Sequence, residues 1–100
     1  MITHIVILWL KDESADMRRK LLDGAAKLGA IPGVLEFRAG GMIPGTREIV
    51  DNSFAVGLSM TFPDQAAADY YQEHPIHQEF VEKYVKPLTS RVVVYDFGTA

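Results

Sequence analysis

Thr3 to Leu10 is a near-continuous apolar, β-branched run, ended by the charged Lys11, Asp12 and Glu13. Such a run predicts a strand covered on both faces. The period then changes. Between Ser14 and Gly29 the apolar residues fall at Met17, Leu21, Leu22, Ala25 and Leu28. That spacing predicts one helical face, with Ser14 placed to cap the helix and Gly29 to stop it. Arg18, Arg19, Asp23 and Lys27 take the wet side. Pro32 and Gly33 turn the chain, because proline fixes its own φ and glycine tolerates conformations that other residues cannot. Val34 to Gly40 follows as a shorter strand in which Glu36 and Arg38 alternate with Leu35 and Phe37. The next segment, "GGMIPGTREIVDN", is rich in glycine and carries a proline, so it is expected to be a loop and the most mobile part of the chain.

Ser53 to Phe62 carries the clearest alternation. Phe54, Val56, Leu58, Met60 and Phe62 are large, whereas Ala55, Gly57, Ser59 and Thr61 are small. In a strand this sends bulk to a core on one face and leaves the other face low enough for a second layer to approach. Asp64 is placed to cap a helix over Gln65 to Glu73, Pro75 starts a new helical piece, and Leu88 closes it before Arg91 to Phe97 forms the last strand. The predicted order is β-α-β-β-α-β with the second helix in two pieces. This is the ferredoxin-like α+β pattern, an antiparallel four-stranded sheet with its helices on one side. On the last strand Val93, Tyr95 and Phe97 share one face and Val92, Val94 and Asp96 the other, so both faces want cover. A symmetric homodimer packing the open sheets face to face would supply it, with Trp9, on the face of Ile5 and Ile7, as an anchor.

Composition points the same way. One hundred residues, read as a single domain from 1 to 100, bury only about 60–65 % of the unfolded surface, yet 48 % of the chain is hydrophobic. The net charge is −3, with Lys and Arg scattered, so no basic stripe is available for a run of phosphates and nucleic acid is not an expected partner. With no cysteine there is no disulfide framework or thiolate site, and the cytoplasm is the expected location. The opening apolar run lacks a basic start and a small-residue cleavage site and is too short to span a bilayer; no membrane partner is expected. "AGGMIPGT" lacks the Lys-Ser/Thr ending of a phosphate loop, and no cofactor is implied.

"THIVILWLKD", "IPGVLEFRAG", "LSMTFPD", "YYQEHPIHQEFVEKYVKPL" and "VVVYDF", in that order, together resemble the stress-responsive A/B barrel domain, a dimeric α+β barrel family. The resemblance spans the chain apart from the loop around Met42 to Asn52. It implies a homodimer whose two sheets close into a barrel, with a cleft between helices and sheet in each subunit. Most members have no assigned reaction; some resemble stress-induced plant proteins, one plant member is a polyketide cyclase, and related barrels include cofactor-free monooxygenases and lactone isomerases. Fold alone therefore does not choose a reaction.

Candidate chemistry centres on "DYYQEHPIHQEFVEKYV". Helical spacing puts Ala67, Tyr71 and His74 on one stripe and His77, Val81, Tyr84 and Leu88 on the next, both facing the sheet. If the face of His4, Val6 and Leu8 points to the helices, His4, Tyr71 and His77 converge at a pocket lined by Val6, Leu8, Leu58, Met60, His74, Val92 and Val94. In the plant cyclase the catalytic pair is a tyrosine three residues before the His-Pro and a histidine three after that first histidine; the resemblance assigns these places to Tyr71 and His77, with His4 matching a strand-one histidine. An imidazole can take a proton beside a carbonyl and a phenol can steady the enolate oxygen. Such a protein would bind or transform a small carbonyl or aromatic compound by a lyase, cyclase or isomerase reaction. The competing reading is a non-catalytic, stress-associated or ligand-binding dimer. There His74 is a helix joint bonded to nearby backbone, His77 and His4 are satisfied structural histidines, and Tyr71 is a core aromatic. Cofactor-free oxygen chemistry is a further alternative. No metal is expected, since Pro75 bends the path between His74 and His77 and no third helical carboxylate stands at ligand spacing.

Overall fold

The computed structural model describes residues 1–98. Strand β1 (Ile2–Leu10) leads through helix α1 (Ala15–Ala25) to β2 (Leu35–Gly41), and β3 (Val56–Phe62) to α2 (Gln65–Glu73). Helix α3 (Pro75–Phe80), a π-helical turn (Val81–Val85) and a last helical turn (Lys86–Leu88) then reach β4 (Thr89–Gly98). The four strands form one antiparallel sheet in the order β2-β3-β1-β4. This is the β-α-β-β-α-β topology expected from the pattern.

Alternation along the strands decides where the core lies. In β1, His4, Val6, Leu8 and Leu10 are buried while Ile5, Ile7 and Trp9 are half-buried. Val56, Leu58, Met60 and Phe62 of β3 are buried beside them. Leu21, Ala25 and Leu28 from the first helical segment, with Tyr71 and Phe80 from α2 and α3, close the core over this face. The opposite face stays open: Tyr95 is 60 % and Phe97 51 % exposed.

The helix ends follow the side chains that stop them. Ser14 Oγ accepts the Met17 N–H at 3.2 Å, and Asp64 Oδ1 accepts the Ala67 N–H at 2.9 Å. His74 is extended, ending α2 and starting α3, and its Nδ1 accepts the Ile76 N–H at 3.1 Å. A residue before proline is pushed out of the helical region, so the joint is local chemistry.

Four details differ from the pattern. After Ala25 the first helix tightens into a 3₁₀ segment, Ala26–Ala30, so Gly29 lies within a helical turn. Glu36 adopts a φ of 48° at an irregularity between Leu35 and Arg38, which breaks the expected alternation and leaves Leu35 41 % exposed. The third strand begins at Val56, not Ser53, and the Phe54 ring, expected on the core face, instead sits edge-on to Trp9 at 6.5 Å on the open face. The loop after β2 is closed on itself: Asn52 Oδ1 accepts from the Gly45 N–H at 2.8 Å and its amide donates to the Gly45 carbonyl at 2.9 Å.

The π-helical turn redirects the residues at its end, because a turn of i to i+5 bonds carries an extra residue and shifts the phase of the helix. Lys86 N–H bonds the Val81 carbonyl, and the Tyr84 ring is delivered to α1. It lies so close to Gly24 that a Cβ there would come within 2.6 Å of the ring. Gly24→Ala is therefore expected to lower stability by about 1–3 kcal/mol through overpacking, outweighing the gain in helix propensity of about 1 kcal/mol. Thermal unfolding checks it; a stabilised variant would contradict this contact.

Candidate functional site

The site begins with a polar residue in the middle of an apolar strand. His4 is 5 % exposed. The β1–β4 register sets it opposite Asp96, and its Nδ1 meets the Asp96 carboxylate. Against a carboxylate that nitrogen must donate, which fixes the tautomer and leaves Nε2 available for chemistry. Asp96 itself is on the exposed edge strand, so the pair runs from solvent to core.

Tyr71 descends onto His4 from α2, its phase set by the Asp64 cap, and His77 follows from α3 across the His74–Pro75 joint. The Tyr71 ring lies 5.8 Å from His4, 5.2 Å from Phe62 and 4.7 Å from His77, centroid to centroid. Among the described residues the Tyr71 hydroxyl has no protein hydrogen-bond partner, yet no buried side-chain nitrogen or oxygen is left unsatisfied. The hydroxyl therefore opens onto the adjoining cavity.

That cavity measures about 170 Å³. Its polar wall is His4, Tyr71, Gln72, His77 and Asp96; its apolar wall is Val6, Leu8 and Leu58 from the sheet, Phe80, Val81 and Val85 from the helical side, and Val92 and Val94 from β4. An apolar cavity near 150 Å³ takes a benzene-sized guest in another protein, so a single ring fits. Burial holds the Tyr71 phenol above its ordinary range, where it keeps its proton and can donate it in a hydrogen bond. Burial also lowers the His77 pKa, helped by the His4 ring, against the pull of the Gln72 carbonyl. Near pH 7 both groups are thus uncharged, the imidazole with a nitrogen able to take a proton and the phenol with one to share.

Of the residues named from the pattern, His4, Tyr71, His77, Val6, Leu8, Leu58, Val92 and Val94 meet at this cavity. Met60 and His74 do not. Met60 is fully buried in packed core, where the Phe62 and Tyr71 rings close over His4. The His74 ring turns back to cap α3 and touches Tyr70 edge-on at 5.5 Å. Sequence reasoning missed Asp96, Gln72, Phe80 and Val85, and placed Val81 on the inward stripe without naming it as lining. The alternation of β4 had put Asp96 on the face of Val92 and Val94, but its opposition to His4 needs the strand register. Val85 replaces Tyr84 on the cavity side because of the π-helical turn. No group of three His, Asp or Glu side chains able to hold a metal occurs among the described residues.

The family model of the stress responsive A/B barrel domain matches residues 2–99. The chain belongs to this family. A family protein with a ferredoxin-like fold from Mesorhizobium loti is 32 % identical, with a TM-score of 0.79 over 99 % of this chain and 96 % of that one. The hydroxynitrile lyase of Passiflora edulis has 21 % identity and a TM-score of 0.79 over 96 % of this chain and 90 % of its own. A dimeric ferredoxin-like protein of unknown function from Thermobifida fusca has 19 % identity and a TM-score of 0.78, covering 98 % and 90 %. Comparison with curated proteins finds no match. The ferredoxin-like fold of this stress responsive A/B barrel chain is thus shared widely, at identities that fix architecture and not chemistry. No helix among the described residues is long and apolar enough to cross a membrane.

The depressed His77 pKa has a defined sign. Near the ordinary imidazole value of 6.5 the folded chain binds fewer protons there than the unfolded one. The associated stability is present above that value and is lost as pH falls through the folded pKa. In an NMR titration His77 is expected to protonate below pH 6.5; a midpoint at or above that value would contradict the environment described.

Proposed function

We propose that this A/B barrel chain works in the cytoplasm as a homodimer of single-domain subunits, each holding a small aromatic or carbonyl compound in the cavity and moving a proton on it. The observation that carries this reading is the contact of Tyr71 and His77 at an open apolar cavity, with the phenol unclaimed by any protein group. A purely structural tyrosine at 2 % exposure would spend its hydroxyl on a carbonyl nearby.

The chemistry follows from the two environments. Neutral His77 takes a proton from the carbon beside a carbonyl, and the electron pair moves to the carbonyl oxygen, where the Tyr71 hydroxyl donates a hydrogen bond to the enolate. His4, steadied by Asp96, stands beside Tyr71 as a second donor or proton store. If the enolate carbon then attacks a second carbonyl, a carbon–carbon bond forms and the new alkoxide takes the proton back from His77. This is cyclase chemistry; return of the proton to another carbon is isomerisation.

Exchange of α-hydrogens for deuterium tests this directly. With 4-phenylbutan-2-one in heavy water, NMR is expected to show accelerated exchange; His77→Ala should slow it by about 10²–10⁴-fold and Tyr71→Phe by about 10²–10³-fold, with folding retained. Tight binding without exchange would leave the ligand-binding reading instead.

The dimer is supported by the open apolar face of Ile5, Ile7, Tyr95 and Phe97 and by the low Gly57 and Ser59 surface beside it. Sedimentation at micromolar concentration is expected to give twice the chain mass, and Ile7→Asp to give monomers; ordered monomers of the unaltered chain would overturn the assembly.

A further inference from the structure

A second cavity, of about 300 Å³, shares the His4, Gln72 and Asp96 wall with the first. The two differ in character. The inner chamber is walled mainly by aliphatic and aromatic side chains, whereas the outer one is bounded by Gln65, Asp69, Gln72 and Asp96 over a floor of Ile2 and Phe62. Gln72 stands where they meet, exposed and with its side chain unclaimed by any protein group. One Asp69 oxygen is held by the Gln65 amide at 2.9 Å, which orients the carboxylate and leaves its second oxygen for another donor. Neither lining contains Lys or Arg.

From this we infer that the ligand is bipartite: a ring-sized apolar body fills the inner chamber, and a short arm passes Gln72 to end in a hydrogen-bond donor, hydroxyl or ammonium, facing Asp69 and Asp96. The inference rests on the inner chamber being the ligand site. Its content is a charge rule. A carboxylate or phosphate on the arm would meet two carboxylates with no Lys or Arg in the lining to offset them, while a donor meets oriented acceptors. Asp69 is the specificity residue in this arrangement. It acts on which molecule is held, not on the proton transfer.

Four probes of one skeleton separate the possibilities: propylbenzene, 3-phenylpropan-1-ol, 3-phenylpropan-1-amine and 3-phenylpropanoate, each titrated against the dimer by calorimetry at neutral pH. The alcohol and the amine are expected to bind at least as tightly as propylbenzene, and the carboxylate at least about tenfold more weakly than either. Asp69→Lys, at an exposed position, is expected to reverse the order of amine and carboxylate. Binding of propylbenzene with no discrimination among the three arms, or no reversal in Asp69→Lys, would overturn the charge rule while leaving the inner chamber intact. Failure of propylbenzene itself to bind would remove the chamber as a ligand site and this inference with it.

Discussion

The register between β1 and its two neighbours is the constraint on which the rest of the molecule depends. It sets His4 against Asp96 on one side and Met60 on the other, with Val6 and Leu8 in line, all on the side facing the helices. Because side chains alternate with a period of two, a slip of one residue would turn His4 outward and bring Ile5 and Ile7 under the helices. Both faces of β1 are apolar, so the cost of such a slip is the misfit of Ile5, Ile7 and Trp9 in a core shaped around Val6, Leu8 and Leu10, about 1–3 kcal/mol for each badly packed side chain. The register that closes the core thus also holds His4 inside it, against Asp96.

Burial then sorts the polar groups that meet there. It pushes the Tyr71 phenol and the His77 imidazole in opposite directions on the pH scale, yet both end neutral near pH 7, one as donor and the other as acceptor. Neutral groups tolerate an apolar cavity far better than charged ones. Asp96, the charged member, keeps an exposed side chain on the edge strand and reaches the interior only through His4. The helical side contributes a comparable division. The His74–Pro75 joint aims His77 at the cavity, and the π-helical turn sends Tyr84 to Gly24 and Val85 to the lining.

Much of this was legible from the chain alone, for reasons that are local. Ser14, Asp64 and Pro75 act on backbone groups within a few residues, so the helix starts could be read from them directly. The large-small alternation of β3 assigned its core face correctly from Val56 to Phe62. The meeting of His4, Tyr71 and His77 was also within reach, because two periodicities, helical and extended, each pointed one set of side chains inward. Phe54 was misassigned where the same alternation was carried past the end of the strand: its ring found the edge of Trp9 on the open face instead.

The sequence by itself determined the elements, their order, the inward faces and the identity of the polar groups carried inward, because each of these depends on neighbours a turn or a strand pair away. Tertiary structure alone decided that Asp96 stands against His4, that Gln72 lines two cavities of different polarity, and that Met60 stays out of the site. Those outcomes depend on strand register, on a π-helical phase shift and on which rings pack into which gaps, all set by contacts between residues far apart in the chain, where no local spacing carries a signal.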